Sequence, residues 1–87
     1  MKSNKKDLIR LLNEVDKRGF LAGMVAHMMS ADQLINVQSC NASITFFENL
    51  LEVLDESELS NKEEWRERFK SGIEIAERDK KMFENEN

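Results

Sequence analysis

Few side chains in this 87-residue chain could perform chemistry: one histidine, His27, one cysteine, Cys40, and a surplus of carboxylates. Three carboxylate pairs, Glu52/Asp55, Glu64/Glu67 and Glu74/Glu77, stand at i, i+3. All-α nucleoside triphosphate pyrophosphohydrolases hold Mg²⁺ with carboxylates at this spacing, because one helical turn brings both onto one face. Glu52, however, points away from the apolar seam of its own stretch, and the other two pairs stand among basic residues. With thirteen acids after residue 47, such pairs also arise by chance. A magnesium-dependent pyrophosphohydrolase is therefore the last of the alternatives, and no catalytic, metal-binding or cofactor-binding residue is assigned.

One histidine and one cysteine are too few for most zinc or nucleophilic constellations. A reactive thiolate needs positive neighbours, and the basic residues are far from Cys40 in sequence, so it reads as a small apolar residue. His27, set among apolar residues, is either a packed, hydrogen-bonded group or a pH-sensitive one at an interface. Met24 and Met28 share a helical face with flexible thioethers, which suit either gap-filling or a groove that moulds to a partner.

Stepping outward from these residues, charge is the organising pattern. Of thirty formal charges, only Asp32 falls within residues 19–47; nine precede that window and twenty follow. The window joins apolar residues to uncharged polar ones, among them Asn36, Gln38, Asn41, Ser43 and Thr45. That mixture suggests a surface removed from water by other protein. Residues 1–18 carry a balance of +3 and residues 48–87 one of −6, a polarity that could orient a partner or pair two copies antiparallel.

Net charge of −4 and a pI near 5.0 argue against general phosphate binding. A degenerate helix-turn-helix, with 20–29 as its first helix and Ala31 onward as its recognition helix, keeps a small DNA-binding regulator as the first alternative. Yet that second helix offers no Arg or Lys, and the basic cluster Lys2, Lys5, Lys6 and Arg10 lies at the other end. No secretory signal is visible and the longest apolar run is half a membrane span, so the expected location is cytoplasmic, away from membranes.

The absence of Pro, with only three Gly, favours helices throughout. Asn4 is placed to cap a first helix over 4–18, with Leu8, Leu11, Leu12 and Val15 as its apolar face. Gly19 then stands at C′ of a Schellman cap that should bring Val15 against Phe20. Residues 20–29 are apolar on every side and predict a helix buried all round. In that run Gly19 and Gly23, and Ala22 and Ala26, place small residues four apart, which lets a second helix approach; internal packing is the simpler reading. Ser30 and Gln33 form a capping box that marks either the start of a long helix over 31–55 or a bend in one that runs on from 20–29. Its seam is Val37, Cys40, Ile44, Phe47, Leu51 and Leu54, with Asn36 and Ser43 inside the apolar arc. Ser60 and Glu63 form a second capping box for a helix over 61–83, burying Trp65, Phe69, Ile73, Ala76 and Phe83; its outer face pairs Glu64/Arg68, Glu74/Arg78 and Glu77/Lys81. Residues 84–87 should fray.

The expectation is one all-α domain over 1–87, a small helical bundle of three to four helices with two long antiparallel ones, and dimeric. Its function is expected to be non-catalytic: a protein-binding regulator, either inhibitor or chaperone-like adaptor. Met24, His27, Met28, Asn36, Cys40, Ser43, Ile44 and Phe47 are its expected partner-binding or dimer-interface residues. Small acidic helical proteins of this kind include secretion chaperones, immunity proteins and phage-encoded inhibitors, though no motif here matches one of them. On this reading light scattering should give a dimer, with Ile44→Glu and Phe47→Glu giving monomer or unfolded chain.

Overall fold

The computed structural model describes residues 5–86, so the expected cap at Asn4 and basic residue Lys2 lie outside the described residues. Four α-helices account for most of them: α1 (Lys5–Lys17), α2 (Leu21–Met28), α3 (Val37–Val53) and α4 (Lys62–Asn85), with a short 3₁₀ turn, Leu54–Glu56, ending α3. No strand occurs among the described residues.

Helix α1 carries Asp7 in its first turn and Lys17 in its last, each matched to the helix dipole. Its buried arc centres on Leu12, flanked by Leu8, Ile9 and Val15, whereas Leu11 sits outside it at 43% exposure. The chain reverses at Gly19, where φ is +76°. Both Schellman hydrogen bonds form: the Gly19 N–H donates to the Asp16 carbonyl and the Phe20 N–H to that of Val15, each at 2.9 Å. The expected apolar clasp does not accompany them, since Phe20 is 64% exposed.

The next helix is far shorter on its inner side than its composition predicts. Only Leu21 and Val25 of α2 are buried. Ser30 closes this helix instead of opening the next: its hydroxyl and its N–H both donate to the His27 carbonyl, at 2.7 and 3.1 Å. Residues 31–33 turn, Leu34 drops into the core, and α3 starts at Val37, six residues later than predicted. Asn36 is the actual cap. Its Oδ1 accepts from the Ser39 N–H at 2.8 Å, while the Ser39 hydroxyl accepts from the Asn36 N–H at 3.0 Å. A helix begun at Ser30 would leave Leu34 on a rigid rod rather than free to reach Cys40 and Ala76, with which it packs.

Helices α3 and α4 run antiparallel and share most of the core. Later residues of α3 meet earlier ones of α4: Asp55 pairs with Arg66, Phe47 stacks on Phe69, and Cys40 packs near Ala76. The fully buried line on α3 is Cys40, Ser43, Phe47, Leu50 and Val53, so the seam is turned towards Ser43 and Leu50, leaving Val37, Ile44 and Leu51 half-buried. Leu12, Leu21, Val25 and Leu59 close the main cluster from the other elements.

Between the long helices the turn is fixed by side chains. The Ser57 hydroxyl donates to the Leu54 carbonyl at 2.6 Å, and Asn13 of α1 accepts from the Glu58 N–H at 2.8 Å. The Ser60 capping box does not form; Asn61 occupies the N-cap position without a side-chain cap bond, and Arg66 and Lys62 tie α4 back to Asp55 instead. On α4, Glu64 pairs with Arg68 as predicted, whereas Arg78 reaches its neighbour Asp79. The helix continues two residues past Phe83, to Asn85.

Gly72 lies closely against the Phe47 ring. A Cβ there would lie 2.6 Å from the Phe47 ring, which is fully buried and cannot swing aside. Gly72→Ala is expected to destabilise the protein by up to about 2 kcal/mol in urea unfolding, because overpacking costs about 1–3 kcal/mol against the roughly 1 kcal/mol gained in helix propensity. Phe47→Leu in the same chain should recover part of that loss, since the two changes share one space.

Candidate functional site

The eight residues expected at an interface fall into three groups. Cys40, Ser43 and Phe47 lie in the core instead: each is at most 1% exposed. Phe47→Glu therefore reports unfolding and carries no information on association. Ser43 is satisfied internally, its hydroxyl donating to the Met28 carbonyl at 3.3 Å, so the register it fixes is that of α3 against the end of α2. Asn36 is exposed but its carbonyl oxygen is spent on the α3 cap, and Ile44 is half-buried against the Leu34–Cys40–Ala76 cluster. Only Met24, His27 and Met28 belong together, all on α2, with His27 exposed and both methionines half-buried against the core.

These three point to the surface that the fold leaves open. Around α2, Phe20, Ala22, Gly23, Ala26 and His27 are all exposed and cover about half the circumference at 100° per residue. None carries a formal charge with His27 neutral. Among the described residues nothing beyond α2's own neighbouring backbone lies within 4 Å of where a Gly23 Cβ would be, so Gly23 serves no internal close approach. Ala22, Ala26 and Met29 form one wall of a shallow groove of about 320 Å³, with Val25 at its base and Glu67, Arg68 and Ser71 of α4 opposite. Arg68 is held in place: its guanidinium lies 4.8 Å over the Trp65 ring and donates to Glu64 at 3.1 Å.

A second patch lies where α3 starts and α4 ends. Ile35 and Met82 are 61% and 50% exposed, and Asn36, Val37, Gln38, Phe83 and Glu86 line a groove of about 360 Å³. The 33–45 flank is thus mixed: Leu34, Cys40 and Ser43 are dry against their own fold, whereas Ile35, Gln38, Asn41, Ala42 and Thr45 face outward. Ile35 and Phe20 were missed by sequence reasoning. Their signal was a large apolar residue beside a cap, a position that neither helix covers.

The remaining chemistry is sparse. Among the described residues no three His, Cys, Asp or Glu side chains converge as a cation would require. Asp55 is held by Arg66 at 2.6 Å and Glu64 by Arg68. In the basic cluster Lys5 pairs with Glu56 and Arg10 with Asp7. Helix α3 contains no Lys or Arg. No described helix is long and apolar enough to cross a membrane. No family model, curated protein or solved structure matches this chain.

Burial pushes the Cys40 thiol up from its ordinary value, and the Asp79 carboxylate adds to the shift against Lys80. An acid whose native pKa is raised stabilises the fold fully below its unfolded pKa and loses that contribution as pH rises. Aromatic disulfide reagents should accordingly label native Cys40 at least ~100-fold more slowly than the urea-unfolded chain, labelling being limited by opening of the fold. Stability should also fall above about pH 9 more steeply than in Cys40→Ala, read from urea midpoints across pH.

Proposed function

We propose that this protein is a non-catalytic protein-binding regulator, an inhibitor or chaperone-like adaptor, and that it works through the open face of α2 and the groove beside it. The observation that carries this reading is that half of an apolar helix, free of ions, is left without a partner inside the fold. Burying such a face is favourable at about 25 cal/mol per Å² of apolar area, and its small residues let another backbone come close. The polar wall of Glu67, Arg68 and Ser71 supplies orientation for whatever lies in the groove. Self-association belongs to the same reading, since an 87-residue chain without a disulfide has a modest core and gains from added burial.

A photo-crosslinking amino acid placed at Ala26 and, separately, at exposed Glu77 tests this in the native cell. Ala26 is expected to trap a discrete polypeptide adduct that Glu77 does not, and Ala22→Glu is expected to reduce its yield by about tenfold or more, because a carboxylate would be desolvated without a partner. Equal, diffuse labelling from both positions would end the proposal.

A further inference from the structure

Helix α2 is tied to the rest of the fold more lightly than the chain on either side of it. Among the described residues one side-chain hydrogen bond links α2 to another element, from the Ser43 hydroxyl to the Met28 carbonyl at 3.3 Å, and no ion pair reaches it. It places two fully enclosed side chains in the core, Leu21 and Val25. The chain before it is anchored separately. Leu12 of α1 is completely buried, Asn13 exchanges two hydrogen bonds with Glu58 in the turn between α3 and α4, at 2.8 and 3.3 Å, and Lys5 pairs with Glu56 at 3.2 Å. The chain after it is anchored as well, by Leu34 packed with Cys40 and Ala76 and by the Asn36 cap. Residues 20–33 thus run between two fixed points, neither of which depends on α2. An eight-residue helix does not persist alone in water, so losing its docking contacts also unwinds it, and docking and winding form one transition.

We infer that α2 is a lid, which leaves the core as a unit between the Gly19 reversal and Leu34 while α1 and the α3–α4 hairpin keep their places. Opening releases residues 20–30, which carry no formal charge with His27 neutral, and uncovers the part of the main core cluster that Leu21 and Val25 close. A ligand for the outer face of α2 needs the lid shut, whereas a ligand for its inner side needs it open. The opening equilibrium therefore selects between the two kinds of ligand. The lid operates whatever the outer face binds.

Native-state hydrogen exchange of the full chain, read amide by amide by NMR, provides the test. Amides of residues 24–28 should exchange at least about tenfold faster than the slowest in α3 and α4, as a subglobal opening requires. Val25→Ala removes a docking contact and should speed residues 24–28 roughly tenfold, whereas fraying of individual turns would be indifferent to it. Ser43→Ala, the milder change, should speed them about two- to tenfold. Lys70→Gly, at an exposed position of α4 outside the groove beside α2, weakens the hairpin alone. It should speed the slowest α3 and α4 amides about fivefold and leave residues 24–28 within about twofold of wild type. Circular dichroism confirms that each variant keeps its helices. An equal response of both sets to Lys70→Gly means that α2 opens only with the whole fold, and overturns the lid. Residues 24–28 indifferent to both Val25→Ala and Ser43→Ala overturn it too. The Ala26 adduct reports on the outer face alone, so the two proposals fail separately.

Discussion

The contact between the Phe47 ring and the backbone of Gly72 sets the spacing of α3 and α4, and the rest of the molecule is built on that spacing. A side chain at residue 72 would hold the helices apart, and Phe69, stacked 6.1 Å from Phe47 at an interplanar angle of 30°, could no longer complete the layer. With the pair this close, one continuous ridge from Cys40 to Leu54 packs on α4. What remains for α1 and α2 is a single side of the hairpin, where Leu12, Leu21 and Val25 fill the space beside Phe47 and Leu50. Two helices laid across one side of a hairpin cannot both be enclosed. The exposure of α2 is thus a geometric consequence of a core built from only four helices.

That geometry explains which parts of the fold could be read in advance. The reversal at Gly19 was legible because a Schellman cap is local: basic residues followed by a glycine suffice. The start of α3 was not, because Ser30 and Asn36 are both good caps and the choice between them is decided by Leu34, whose destination lies across the molecule at Ala76. The same distance problem hid the N-cap of α4, where the polar groups of the turn are used by Asn13, Ser57 and Arg66 rather than by Ser60. Gly72 gave no sign, since one glycine in a helical pattern looks the same whether it faces water or a ring.

The candidate surface was half legible for a related reason. The lack of ions covers both the core line of α3 and the open face of α2, because composition cannot separate residues dry against their own fold from residues left exposed. Cys40, Ser43 and Phe47 share the uncharged character of Ala22, Gly23 and Ala26 and end on the opposite side of that divide. Ser43 is the clearest instance. A hydroxyl within an apolar arc signals a specific acceptor, and the acceptor is the Met28 carbonyl at the end of a neighbouring helix in the same chain.

That bond also bears on how firmly α2 is held. Two turns of helix are too short to persist alone in water, so α2 stays wound because Leu21 and Val25 are docked and its last carbonyls are engaged by Ser30 and Ser43. Its winding therefore depends on those few contacts, and segments held so sparsely open at lower free energy than a packed core. Anything that settles on its outer side also locks the helix against melting, so recognition and rigidity become one equilibrium, and the ordering of eight residues sets a lower limit on how strong a ligand must be.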